Sequence, residues 1–265
     1  MRETRAGSGR PAGARSPQIP HIADKKYAVV SCHVETPLDD RAWRLFSAFQ
    51  AVQPGGFRIA ALMRPPHEGE DGERWLQRAR EAAAYGPLGH HTHWTGPSHA
   101  RPTTAGTAGR VREEAAWLRE RGLEPRLFCG GGWYMDQEVA EVLAVLGYVD
   151  CTATAFRPAY LAEGAPRIGL EAPTWLAVGG GRLLELPSTH SLGMAARAAL
   201  GRLPGHVHVY FHDTDLLSPS RRLALRAALE ILGRRRAATD LEDLAAAVGG
   251  TAPERDFASL VESRS

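Results

Sequence analysis

Three cysteines in 265 residues, no run of 18 apolar residues and a formal charge of only +2 narrow the field before any motif is read. Cys32, Cys129 and Cys151 are odd in number and widely spaced, which excludes a secreted disulfide framework and points to a reducing cytoplasm. With no long apolar run, no membrane-spanning helix is expected. The near-neutral charge leaves no basic face of the kind that nucleic acid or an anionic membrane surface requires. Neither GxGxxG nor GxxxxGK[ST] follows the first apolar run, so both nucleotide fingerprints are missing. Residues 1–24 are rich in Arg, Gly, Pro and Ser without an apolar centre, so a disordered leader is expected there rather than a signal peptide.

What is present is enough to build one core. With 43% hydrophobic residues, a single domain is expected over residues 25–250, followed by a tail at 251–265. Short apolar runs at Tyr27–Cys32, Phe57–Leu62, Pro87–Leu88, Arg126–Cys129, Tyr148–Asp150, Leu183–Leu186 and Val207–Phe211 read as strands. Helical stretches separate them at Asp40–Phe46, Glu70–Ala84, Arg110–Arg121, Asp136–Leu146 and Pro219–Gly233. A last helix at Leu241–Val248 is expected to start with a capping box, Thr239-x-x-Glu242. About seven strands alternating with helices predict a parallel α/β fold, as a barrel or a doubly wound sheet.

Both architectures place ligands at the carboxyl ends of the strands. His33 and Glu35 follow the first strand, Cys129 ends the fourth, Asp150 the fifth, and His212 and Asp213 the last. The densest cluster is Gly89-His90-His91-Thr92-His93-Trp94-Thr95. Three imidazoles in four residues are costly as packing, since each buried ring nitrogen needs a partner, and neutral imidazole is a common ligand of transition metals. His91 and His93, two apart, project to one face of a strand, while His90 points away. In His206-Val207-His208-Val209-Tyr210-Phe211-His212 the valines and Phe211 should pack on helices. His208, Tyr210 and His212 should face the interior. A solvated, His-rich turn is the duller reading of the cluster.

Together these residues resemble the polysaccharide deacetylase family, the NodB-homology enzymes also called carbohydrate esterase family four. The resemblance runs from about Tyr27 to Val248 and implies a distorted (β/α)7 barrel. Ser31-Cys32-His33-Val34-Glu35-Thr36 occupies the place of the motif that carries the catalytic base and a metal-binding carboxylate. His91-Thr92 matches the start of the His-Ser/Thr-x-x-His motif. Phe128-Cys129-Gly130-Gly131-Gly132-Trp133 stands at the groove-wall motif, and Phe211-His212-Asp213 at the motif of the general acid. The chain departs from the family in having His33 for the base carboxylate, Glu35 for the metal-binding aspartate, Thr95 for the second histidine, Cys129 for an arginine and Gly131 for a proline. His93 or His99 is left to supply the second imidazole, and His93 is nearer.

What the resemblance implies is a divalent metal, zinc or another transition ion, held by Glu35, His91 and His93 in a hydrolase that removes an N-acyl group from an amino sugar or a glycosylated small molecule. His33 would be the base, oriented by Asp150, and His212 the acid, oriented by Asp213. Trp94, Cys129, Gly130, Trp133 and Tyr134 would line the substrate groove. Two other readings use the same residues. One is a thiol hydrolase with Cys129 as nucleophile, His212 as base and Asp213 behind it. The other is a binding protein that keeps the barrel and its mouth without turnover.

Overall fold

The computed structural model describes residues 26–103, 105–158 and 167–261. The expected leader lies outside them. Among the described residues, eleven strands and seven α-helices follow in the order β1 (Tyr27–Val34), α1 (Asp40–Val52), β2 (Ala60–Met63), α2 (Gly72–Ala83), β3 (Leu88–Thr92), α3 (Thr107–Glu120), β4 (Leu127–Gly130), α4 (Gln137–Leu146) and β5 (Val149–Asp150). Then come β6 (Thr174–Val178), β7 (Gly181–Glu185), β8 (His190–Ser191), α5 (Leu192–Ala198), β9 (Val207–His212), α6 (Pro219–Arg235), β10 (Ala237–Ala238), α7 (Leu241–Val248) and β11 (Glu254–Asp256).

The fold is mixed α/β with a mostly parallel sheet. Strands β5, β4, β3, β2, β1 and β9 lie side by side, all parallel. The stretch 181–191 carries the pairing onward. Its first part, β7, pairs with β5, and its last part, β8, pairs with β9. Between them Leu186 N–H donates to Asp150 O, Ser188 N–H to Ala153 O, and Thr189 N–H to His208 O. The stretch 181–191 therefore meets the parallel set at both of its edges.

Alternation along the strands decides which side chains meet there. On β1, Ala28, Val30, Cys32 and Val34 pack outward with Phe46, Trp75, Phe211 and Leu225 under the helices. The intervening Val29 joins an inner cluster with Leu62, Cys129 and Tyr210, closed below by Leu241 and Leu244 of α7. On β9 the outward set is Val207, Val209 and Phe211, as the strict alternation of that stretch implies. On α2, Trp75, Ala79 and Ala82 are the buried face, also as expected.

The differences from the sequence reading are local. Phe57 and Ile59 are buried ahead of β2 rather than within it, because the chain first passes through a tight turn at Pro54–Gly56. Helix α7 is capped one residue later than the box at Thr239, since the Asp240 carboxylate accepts the N–H of Asp243. The stretch after Val248 does not read as a bare tail. β11 pairs with β6, which pairs antiparallel with β7, and Phe257 is buried in the core beside α4. Among the described residues no helix is long and apolar enough to cross a membrane.

Candidate metal and catalytic site

The carboxyl ends of β1, β3, β4 and β9 open into a cleft of about 880 Å³ whose wall includes His33, Glu35, His91, Gly130, Trp133 and His212. The register explains the convergence. His33 on β1 pairs with His212 on β9, and His91 on β3 with Cys129 on β4. Through β2, His33 is level with Gly89 of β3, so His91 and Cys129 stand two residues further along on the same inward face, and the His91 ring meets that of His33 at 4.7 Å. His93 lies one residue past β3 and returns to the same place, its ring 5.0 Å from that of His91. The close seat of β4 beside β3 needs glycine: a Cβ on Gly131 would stand 2.4 Å from Thr92 O and 2.5 Å from Ala100 O.

Glu35, His91 and His93 offer three ligand atoms within 4.8 Å of one another. His91 Nδ1 is 2.9 Å from Cys129 O, and His93 Nδ1 is 2.9 Å from Pro97 O. A carbonyl only accepts, so both Nδ1 atoms carry the hydrogen. In the neutral ring each Nε2 is then a bare lone pair, and both are buried without a hydrogen-bond partner. What they face is itself an acceptor: His93 Nε2 lies 2.9 Å from Glu35 Oε2, and His91 Nε2 lies 3.4 Å from Oε1. Lone pairs on a carboxylate and on two imidazoles face one another within 4.8 Å, and a single metal cation would satisfy all three, where protons would have to be added to each imidazole. The donor set fits a transition ion. The carbonyl contacts at Nδ1 are the tautomer-fixing partners such a site needs.

Burial raises the Glu35 carboxyl; hydrogen bonds from Nε2-protonated His91 and His93 would outweigh it and hold the group well below the usual carboxylate range, and a metal cation at the same point pulls in the same direction. His91 is lowered by burial, against the pull of Glu35. The Glu35 backbone is gripped from both sides. Asp213 Oδ1 accepts the Glu35 N–H (3.2 Å), and Asp213 Oδ2 accepts the Thr36 N–H (2.9 Å) and hydroxyl (2.8 Å). Arg64 Nε donates to Glu35 O (3.0 Å), and its buried guanidinium is fixed by both oxygens of Glu70 at 2.6 and 2.9 Å.

His33 and His212 complete the rim. The two rings stand at right angles, 5.4 Å apart, and His33 also lies 4.7 Å from His91 and 5.2 Å from Trp133. Burial, helped by the nearby His91 and His212, pushes His33 well below 6.5, so its ring is neutral at neutral pH. His212 goes the other way. Burial would lower it, but Asp215, Glu35 and Asp213 together raise it above 6.5. Asp215 braces His212 through the main chain: Oδ2 accepts the His212 backbone N–H at 2.9 Å and lies 3.7 Å from the ring Nδ1, beyond hydrogen-bond reach, while Arg221 holds Oδ1 at 2.7 Å.

Several expected partners are placed elsewhere. Asp213 does not orient His212, because adjacent residues diverge at the strand end and its carboxylate is taken by the loop after β1. Asp150 does not reach His33. Its Oδ1 accepts the Thr152 hydroxyl at 2.7 Å, and its strand partner across β5 and β7 is Glu185. His33 Nε2 instead faces Cys129 Sγ at 3.7 Å. Cys129 is fully buried, and burial, then Asp150 and Glu185, push its thiol well above 9, which disfavours the thiolate a nucleophile needs. Trp94 and Tyr134 pack on each other, with Trp94 Nε1 on Gly131 O and the Tyr134 hydroxyl on Asp136. Neither lines the cleft, whereas Gly130 and Trp133 do.

Trp133 holds φ 61°, a left-handed conformation that costs a bulky residue of order 1 kcal/mol. His90 faces outward, between the Tyr148 hydroxyl (3.2 Å) and Glu114 (2.8 Å). His99 lies in the cleft wall but belongs to no ligand grouping among the described residues. Sequence reading missed Asp215 and Arg64. The signal for Asp215 was present: three residues past His212 is the spacing at which a capping carboxylate folds back on the chain. Arg64 has no such local signal, because its partner Glu35 lies a full strand–helix–strand unit away.

No family model matches the sequence, and no curated protein matches it. Solved structures do resemble it. The 4-α-glucanotransferase of Thermococcus litoralis aligns with TM-score 0.55 at 9% identity over 90% of this chain, which spans only 42% of that protein. A family 4 carbohydrate esterase from Streptomyces lividans, solved with acetate, aligns at TM-score 0.44 and 12% identity, covering 86% of this chain and 90% of that one. A Bordetella bronchiseptica protein described as a polysaccharide deacetylase involved in O-antigen biosynthesis gives 0.45 and 12%, covering 80% and 91%. Of these three the first alone exceeds 0.5, and at its low identity it bears on the fold only.

Proposed function

We propose that this chain is a metal-dependent hydrolase that removes an N-acyl group from an amino sugar or a glycosylated small molecule. The observation that carries the reading is the pair of buried, unpartnered Nε2 atoms of His91 and His93 turned on the Glu35 carboxylate. Glu35, His91 and His93 would hold a divalent transition ion, zinc being one that suits them. Such an ion supplies Lewis acidity towards an acyl carbonyl and towards water.

The remaining work falls to the chain's own side chains. His33, neutral and enclosed by His91, Trp133 and Tyr210, receives the water's proton on a ring nitrogen. His212, whose ring is biased towards its protonated form by Asp215 and Glu35 and is set at right angles to His33, gives a proton to the departing amine. Asp213 and Arg64 fix the loop that presents Glu35, so the carboxylate is held before substrate arrives. Trp133 gives the cleft a flat apolar wall against which a sugar ring can stack. The polysaccharide deacetylase resemblance of the strand-end motifs supports the acyl-amide substrate.

The test is turnover of N-acetylated amino sugars by purified protein before and after chelation, and after reconstitution with zinc, cobalt or nickel. The reading requires acetate release that chelator abolishes and metal restores. Acetate release unaffected by chelator would reject it.

A further inference from the structure

The two oxygens of Glu35 do not face the same imidazoles. Oε2 is 2.9 Å from His93 Nε2, whereas Oε1 lies 3.4 Å from His91 Nε2 and 3.6 Å from His212 Nε2. The two longer separations exceed a good N–H···O hydrogen bond. They are close to the roughly 3.4 Å that two ligand atoms keep when both bind one tetrahedral ion through bonds of about 2.0–2.1 Å. Besides the Glu35, His91 and His93 grouping, a ring nitrogen of His33, a carboxylate oxygen of Glu35 and a ring nitrogen of His212 also lie within 4.8 Å of one another.

We propose that His33, Glu35 and His212 form a second cation site that shares the Glu35 carboxylate with the first, and that an ion held there switches the enzyme off. The proposal rests on the functional reading above, because it takes Glu35, His91 and His93 as the first site. Two imidazoles and one carboxylate select a transition ion over magnesium or calcium, which require oxygen ligands. The rings are already set. His33 is packed among His91, Trp133, Tyr210 and His212 at 4.7 to 5.4 Å, and the His212 backbone is tied to Asp215. His212 is 29% exposed and stands in the cleft wall, so an ion reaches the site by the substrate's route.

The second site is the weaker of the two. It shares its only carboxylate with a site already occupied by a dication, and the two ions repel. Its occupation also has a direct chemical consequence. The imidazoles it engages are those that accept and deliver the proton, and a ring nitrogen bound to a metal ion does neither.

Zinc titration of chelator-stripped full-length protein tests this, followed by calorimetry and native mass spectrometry, with acetate release measured in parallel on the wild type. The expected result is two ions per chain, one tight and one weak, with activity rising as the first binds and falling as the second does. His212→Gln and His33→Gln, which keep side-chain bulk, should each lose the weak ion and retain the tight one. His93→Gln should lose the tight one. Saturation of the wild type at one ion, with His93→Gln binding none, would overturn the second site and leave the first standing. A second ion that survives both His33→Gln and His212→Gln sits elsewhere and also overturns it. A wild type that binds no ion would reject both sites.

Discussion

At the ends of β1 and β3, two imidazole nitrogens without hydrogen-bond partners face the Glu35 carboxylate. Two strands further round, Asp150 on β5 and Glu185 on β7 stand opposite each other, with Asp150 Oδ2 and Glu185 Oε2 likewise unpartnered and buried. Both clusters concentrate polar atoms in one barrel interior, yet they call for different counter-ions. The first mixes imidazole with carboxylate, opens to a cleft, and has its outer nitrogens committed to carbonyls, which leaves a set of lone pairs suited to a metal. The second is two acids with no exit to solvent. Burial and mutual repulsion raise Glu185 well above 4.5, and burial raises Asp150, so a single shared proton satisfies the pair. Buried polar groups therefore mark chemistry only when their donor set and their access both fit it.

The largest effect that sharpens this contrast is expected at Glu35. Glu35→Ala should abolish activity and remove the bound ion, whereas Glu185→Ala should leave metal content unchanged. Atomic absorption on both variants checks it, and equal metal in wild type and Glu35→Ala would break the distinction. Next comes Asp215→Asn, which leaves Glu35, His91 and His93 alone but removes the carboxylate that braces the His212 backbone and raises its ring. A loss of roughly 10–100-fold in kcat with full metal content is expected. The alkaline limb of the pH–rate profile should also move to lower pH, because His212 then loses its proton more readily. Rate and metal falling together would instead place Asp215 in support of the ion site.

Within the acid pair the predicted effect is on stability. Asp150→Ala leaves Glu185 and the Thr152 hydroxyl without their partner and should cost about 1–3 kcal/mol in denaturant unfolding. Both carboxyls are raised in the folded protein, so the stability tied to their protonated form is complete at acid pH and is lost as pH rises through the raised values. Glu185→Gln supplies a permanent donor in place of that proton. It should flatten the loss of thermal stability on the alkaline side, and an unchanged alkaline slope would contradict the shared proton. The smallest effect is expected at Cys129, where a buried thiol raised well above 9 should leave activity indifferent to iodoacetamide under native conditions.

The parts of this arrangement that were legible in the sequence are those with a local signature. The alternation in Val207–His212 showed which side chains face inward, and the structure places His208, Tyr210 and His212 there. The apolar run at Pro87–Leu88 marked the start of β3, which continues to Thr92, and spacing alone separated His91 and His93 from His90. Pairing across the sheet left no such trace. Asp150 reads as a strand-end carboxylate aimed at the site, but its neighbour is decided by register with β7, which puts Glu185 beside it rather than His33. Asp213 and Asp215 are indistinguishable by composition, and the turn after β9 alone sends one to the β1 loop and the other to His212. Strands β6 and β11 escaped notice because one is only half-buried and the other is short and charged.

The central claim is that Glu35, His91 and His93 bind an ion, and it is tested most directly by counting metal. Chelator-stripped protein is reloaded with zinc, freed of loosely held ions by gel filtration, and analysed beside Glu35→Ala and His93→Ala. One tightly held ion per chain in the wild type and none in either variant is the predicted result. No retained ion in the wild type, or the same ion retained in both variants, would contradict it.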